Sequence, residues 1–424
     1  PFLAADVAAR LAMPEAEVQR ALQALVARGR VLEGEFRPGG AVREFVDANV
    51  LQKLRRRSLA KLRKEVAAVE PPALARFCVT WHGIGGQRRG PDALLDVVEQ
   101  LQGAPLPASI FESEILAARL GQYSPDWLDT LAAAGEVRWV GVEPIGQRDG
   151  RIALFLTDQM PLLLPPRPDV ELSADEQAIV EWLERRGASF FDDLHAASGA
   201  GFPGAVVDTL WKLVFQGLLA NDTFHALRAY THPRGSHRGG RRGAIDAARA
   251  RGAASFRSRR SVPRTADGRW SLVHASAAVR APSPTERLTQ TVRQLLARHG
   301  VLTREALANE GLRGGFSSIY PALKALDDAG RVRRGYFVAG LGATQFALPG
   351  ALDLLRSLRE APVSAEAVLL AATDPANPFG TSLPWPTPSS TRSVGALVVL
   401  VDGELTLYVA RGLRELTTNL PEHE

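Results

Sequence analysis

The chain has 424 residues, 46% of them apolar, enough to fill several modules with cores of their own. Its net charge of +5 is mildly basic, which suits an anionic partner without naming one. One cysteine, Cys78, excludes an internal disulfide framework and a multi-cysteine zinc site and suits a reducing cytoplasm, and no apolar run approaches the roughly 18 residues of a membrane helix.

The chain opens at Pro1 and enters a helical pattern at once, so we expect a piece of a longer protein without a targeting peptide. Residues 1–40 read as a winged helix. A short helix over 4–11 precedes a second over 15–28, with Val18, Leu22, Leu25 and Val26 inward. Gly29-Arg30-Val31 then leads into a strand. Gln19, Arg20, Gln23 and Arg28 face outward, either to enter a groove or as the polar side of a packing module. Residues 41–76 read as a basic helical connector. Leu51, Leu54, Leu59 and Leu62 keep helical spacing there, while Lys53, Arg55, Arg56, Arg57, Lys61, Arg63 and Lys64 crowd the other faces. Such a helix fits phosphate contacts; the alternative is a solvated face.

Residues 77–160 read as a second winged helix. Leu94, Leu95, Val98 and Leu101 make one apolar helical face, and Pro105 and Pro107 stop that helix. Ile110, Ile115, Leu116 and Leu120 make the next. Ser124 and Pro125 open a third helix carrying Trp127, Leu128 and Leu131. Gly135-Glu136-Val137 starts the wing, and 151–156 returns it. His82 beside a glycine-rich turn has no second ligand at metal spacing, and Trp81-His82-Gly83 reads as an anchored loop. Residues 161–230 read as winged-helix-like: Ser173 and Glu176 form a capping box, and a third helix runs over 203–216, but a clear wing is missing. Residues 231–268 are an Arg-rich flexible linker, with Arg241 and Arg242 as phosphate candidates.

Residues 269–350 read as a further winged helix, with helices over 285–298, 303–307 and 316–329 and a wing from Gly330-Arg331-Val332. Ser317, Ser318, Tyr320 and Lys324 on the third helix and Arg331, Arg333 and Arg334 on the wing are DNA candidates, or a solvated basic edge. The glycine-x-valine phrase at 29, 135 and 330 is an internal repeat. Residues 351–424 alternate as strands around the Asp402-Gly403 turn and read as a small β-barrel, incomplete at its end. The fold class is α+β, mostly α: tandem winged-helix domains with a C-terminal small β-barrel.

Several phrases are similar to one family. EFVDANVLQKLRRRSLAKLRKEV, the stretch from EQLQGAPLPAS to EVRWVG, GYFVAGLGATQFALPGALDLLR, AATDPANPFG and GALVVLVDGELTLYV resemble the C-terminal region of bacterial large helicase-related (Lhr) proteins. The resemblance implies a superfamily-2 DNA repair helicase whose ATP-driven 3′-to-5′ motor is followed by this tail. It also implies a fold like AlkZ-type winged-helix DNA glycosylases and a homotetramer. No Walker-type or Asp-Glu-x-His stretch occurs here, so we expect no ATPase and no cofactor in these residues.

AlkZ-type enzymes use a Gln-x-Gln pair, and the comparable 103–109 stretch lacks it. The resemblance also implies uracil removal dependent on an Asp, for which Asp222, Asp374 and Asp402 are weak candidates, each reading first as a cap or turn residue. Three readings stay open: a DNA-binding and oligomerising scaffold facing single-stranded or tailed DNA in the cytoplasm, a glycosylase module, and a structural or partner-binding array.

Overall fold

The computed structural model describes residues 1–36, 43–54, 56–57, 67–199, 201–232, 262–274, 282–312, 314–342, 344–362 and 366–418. The chain divides into two compact units, residues 1–68 and 69–424.

In the first unit, α1 (Ala4–Leu11) and α2 (Glu15–Ala27) enclose Ala4, Ala8, Val18 and Leu22 with Val31 and Phe45. β1 (Val31–Gly34) pairs antiparallel with β2 (Glu44–Asp47). Residues 48–54 and 56–57 are helical, and Lys53, Arg56 and Arg57 are exposed on that helix. Arg55, Lys61, Arg63 and Lys64 lie outside the described residues, as do Arg241 and Arg242.

The second unit opens with α3 (Pro71–Trp81), α4 (Pro91–Leu101) and α5 (Pro125–Ala133) beside a sheet of β3 (Leu106–Pro107), β5 (Gly150–Leu156) and β4 (Val137–Pro144), in that order. The helical pattern around Ile110 to Leu116 is in fact a π-helical turn, Phe111–Leu116. The wider turn still buries Phe111, Ile115 and Leu116, and it carries Glu112 and Glu114. Trp81 is anchored, its indole N–H donating to the Ala297 carbonyl at 3.0 Å, and His82 is buried.

The next module has α6 (Ala174–Arg186), α7 (Phe191–Ala197) and α8 (Pro203–Phe215), with the Ser173–Glu176 capping box in place. Its missing strand comes from beyond the Arg-rich segment. β6 (Leu219–Asn221) pairs antiparallel with β7 (Trp270–Leu272), so residues that local pattern assigns to the following winged helix complete this one. Trp270 is fully buried, and that burial fixes the pairing. Between the two strands lies α9 (Phe224–Thr231).

The last winged helix has α10 (Pro284–His299), a 3-10 turn (Glu305–Asn309) and α11 (Gly315–Asp328), with a sheet ordered β8 (Val301–Leu302), β10 (Gln345–Ala347), β9 (Arg333–Gly335). Thr303 Oγ1 accepts the Ala306 N–H at 3.1 Å, as a cap should. Pro321 lies inside α11, one residue deeper than in the 316–329 helix that the pattern predicts. The glycine-x-valine phrase has one physical cause. Gly29, Gly135 and Gly330 take φ of +68°, +76° and +69°, with nothing within 4 Å of an added Cβ, so the demand is conformational and not steric.

After α12 (Pro349–Ser357), strands β11 (Ala367–Ala371), β12 (Leu397–Val401), β13 (Glu404–Val409) and β14 (Leu416–Thr418) pair antiparallel in sequence order. The expected barrel is not closed: among the described residues the sheet ends at β11 on one side and β14 on the other.

Candidate nucleic-acid interface

A winged helix meets DNA chiefly through its third helix and wing. The second unit holds three such helices, α5, α8 and α11, and their surroundings differ. α8 is a core element. Val206, Val207, Leu210, Trp211, Leu213, Val214 and Phe215 are all buried. Trp211 lies 6.2 Å from Trp139 and 4.2 Å from Tyr230, ring to ring. The helix packs on the wing of the preceding module so closely that a Cβ on Gly141 would sit 2.4 Å from the Val214 carbonyl oxygen, and one on Gly150 2.0 Å from the Phe215 ring. Its one lysine, Lys212, is paired with the buried Glu176 at 2.5 Å.

α5 is covered differently. Arg228 of α9 donates to Glu112 at 2.6 and 3.1 Å and to Asp129 at 2.9 Å, clamping the polar side of α5. Tyr123 donates to the same Glu112 at 2.7 Å. The charge is also wrong for phosphate. Residues 124–144 carry Arg138 against Asp126, Asp129, Glu136 and Glu143.

α11 is the exception. It buries only Ile319 and Leu323, and Ser317, Ser318, Pro321 and Lys324 are exposed. Residues 315–335 carry Lys324, Arg331, Arg333 and Arg334 against Asp327 and Asp328. Arg331, Arg333 and Arg334 are exposed, and Arg334 reaches Asp327 at 3.5 Å, tying wing to helix. Buried Val332 anchors the first wing strand. The hairpin is pinned by Gln345, which has no solvent exposure. Its Oε1 accepts the N–H groups of Phe337 and Val338 at 2.8 and 2.9 Å, and its Nε2 donates to the Val338 and Gly342 carbonyls at 2.9 and 3.1 Å. A buried amide with all four positions used holds a wing in one conformation. Sequence reading passed over Gln345; its place between the strand-forming Thr344 and Phe346 was the available signal.

The three aspartates weighed for base chemistry have structural partners. Asp222 accepts from the Arg269 N–H at 2.7 Å and its Nε at 2.8 Å. Asp402 sits at φ +51° in the β12–β13 turn, where Oδ1 accepts the Glu366 N–H at 3.4 Å. Asp374 is fully buried and held by Arg119 and by the Ala376 N–H at 2.7 Å. Glu114, which sequence reading did not single out, has a buried Oε2 without a hydrogen-bond partner among the described residues. Burial, then the Asp374 carboxylate, push its carboxyl above the usual range. Among the described residues no three His, Cys, Asp or Glu side chains form a metal site, and no helix is long and apolar enough to cross a membrane.

Comparison with known proteins agrees with this architecture. Residues 69–157 and 281–367 each match a family described as large helicase-related protein, winged-helix domain. A Mycolicibacterium smegmatis protein named Lhr helicase/probable uracil glycosylase is 40% identical over 98% of this chain, and the match covers 28% of that protein. An Escherichia coli protein named Lhr helicase/uracil glycosylase is 35% identical over 88% of this chain and 26% of its own length. The chain thus spans about a quarter of the length of these relatives. The solved structure of Streptomyces sahachiroi DNA glycosylase AlkZ overlaps 84% of this chain and 92% of its own, with a TM-score of 0.49 and 15% identity. The chain thus carries two winged-helix domains of the large helicase-related protein family, and its Lhr relatives match it at their C-terminal end.

Proposed function

We propose that this region is the DNA-binding scaffold of an Lhr-type ATP-dependent DNA repair helicase, and that it meets single-stranded or tailed DNA through α11 and the 331–347 wing. One observation carries the reading: of the three third helices in the second unit, α11 is the one flanked by cations, with neither the core packing that buries α8 nor the Arg228 clamp that holds α5. The exposed polar residues of this helix and its wing include serines, a lysine and arginines, which suit phosphate contacts more than base reading. The test is DNA affinity against salt for the Lys324→Ala, Arg331→Ala, Arg333→Ala triple variant. Affinity should fall and the log–log salt slope should shrink by roughly 0.7–0.9 per lost contact. Unchanged affinity and slope would remove this face from the interface. Assembly into a homotetramer, in the cytoplasm and without a cofactor in this region, belongs to the same proposal; mass measurement in solution tests the assembly.

A second reading, uracil removal, is favoured by Glu114. A carboxyl group with a raised pKa and one unpartnered oxygen, on a π-helical turn, suits proton transfer to a leaving base or activation of water. Release of uracil from single-stranded DNA without ATP should then occur and be lost in Glu114→Gln. Release that persists in Glu114→Gln, or that is absent from the unsubstituted protein, ends this reading.

A further inference from the structure

A cleft of about 380 Å³ opens between α4 and α10, away from the α11 face already described. On α10, Gln290, Arg293 and Gln294 fall at helical spacing along one stripe; Glu99 and Gln100 of α4 face them, and Gln159 closes the end. Four of the lining side chains are glutamines, and each has one half of its amide committed. Gln100 Nε2 donates to the Trp81 carbonyl at 3.0 Å. Gln294 Nε2 donates to the Glu99 and Gln100 carbonyls at 2.9 and 3.0 Å. Gln290 Nε2 donates to Gln159 Oε1 at 3.4 Å, which also accepts from Gln102 at 3.1 Å.

The opposite halves have no protein partner among the described residues. They are the carbonyl oxygens of Gln100, Gln290 and Gln294 and the amide nitrogen of Gln159, with the exposed Arg293 guanidinium beside them. Charge argues against a phosphate. Arg293 faces Glu99, and the nearby Asp96 is paired with Arg88, so the lining has no net positive charge to attract an anion. A neutral planar group with N–H donors on one edge and acceptors on the other fits best. Pockets of this size, ~300–1,000 Å³, hold small ligands.

We propose that this cleft receives a single unpaired nucleobase, and prefers guanine. Guanine offers its N1–H and N2–H₂ donors to the three glutamine carbonyls, and its O6 and N7 acceptors to Arg293 and the Gln159 amide. Thymine and uracil, with one ring N–H, leave two of those carbonyls unanswered. The proposal rests on the DNA-binding reading and adds to it a base preference on the first helix of the same winged helix.

The experiment measures binding of the whole chain to tailed duplexes carrying one unpaired nucleotide, either G, A, C or T, by fluorescence anisotropy. The unpaired G should bind about tenfold more tightly than T. That ratio should collapse in Arg293→Met and in Gln290→Leu, with the circular dichroism spectrum unchanged. Equal affinity for all four duplexes, or a preference that survives both variants, overturns the base pocket and leaves DNA binding standing. Failure to bind any of the duplexes overturns both.

Discussion

Arg119 and Asp374 form a bidentate ion pair, Nη1 to Oδ2 at 2.8 Å and Nη2 to Oδ1 at 2.7 Å, with neither side chain exposed to solvent. The pair joins the helical turn before Leu120 to the loop after β11, 255 positions later. Arg392 adds a 3.0 Å bond to the Asp374 carbonyl. Removing one member strands a buried charge. Asp374→Asn and Arg119→Met should each cost ~3–5 kcal/mol in urea unfolding, and the double variant less than their sum. Additive losses would mean that the two charges do not depend on each other.

The wing prediction rests on Gln345. Gln345→Leu removes four hydrogen bonds and leaves backbone groups of the 336–342 hairpin unsatisfied, at roughly 2–4 kcal/mol. If the wing contacts DNA, affinity should fall as well, although Gln345 itself is buried and touches no ligand. A variant that unfolds more easily yet binds DNA as before would separate the wing from binding.

Acid stability turns on Glu310. Burial alone would raise its carboxyl, but the Arg298 guanidinium and the His299 ring, whose Nε2 lies 2.6 Å from Oε1, outweigh burial and hold it at about 2. Arg298 also donates to the Gln102 carbonyl, so the pair links α10 to the end of α4. A depressed folded-state pKa stabilises above the ordinary carboxylate value and loses that contribution as pH falls through about 2. The contribution, on the order of 3 kcal/mol, should therefore fade between about pH 4.5 and 2. In Glu310→Gln, urea midpoints should be lower at pH 6 and flatter across that window. A wild-type slope retained in Glu310→Gln would assign the acid sensitivity to other groups.

Local pattern carried the modules a long way. Ser173 with Glu176, Thr303, and the glycines at 29, 135 and 330 mark helix ends through chemistry confined to a few residues, and the structure places each of them at such an end. What stayed hidden needs partners distant in sequence. The β6–β7 pairing crosses the Arg-rich segment, so local pattern places Trp270 in the wrong module. The π-helical turn keeps an apolar spacing that resembles an α-helix. A closed barrel and an open four-stranded sheet share the same alternation. The DNA candidates show the same divide. Lys324, Arg331, Arg333 and Arg334 are visible as charges, but only tertiary contacts reveal that α5 lies under Arg228 and that α8 is core.

The covering of α8 can itself be tested at Gly150. Its missing Cβ makes room for the Phe215 ring, which an alanine would meet at 2.0 Å. Gly150→Ala should cost ~1–3 kcal/mol through overpacking. Phe215→Ala empties a buried site and should cost ~3–5 kcal/mol. Combined, the alanine at 150 enters space that the lost ring vacates, so the double variant should be more stable than the two costs predict, by roughly 1 kcal/mol or more. Thermal unfolding of the four proteins measures the coupling. If the costs simply add, Phe215 does not press on the wing, and α8 is freer to meet another partner than its burial implies.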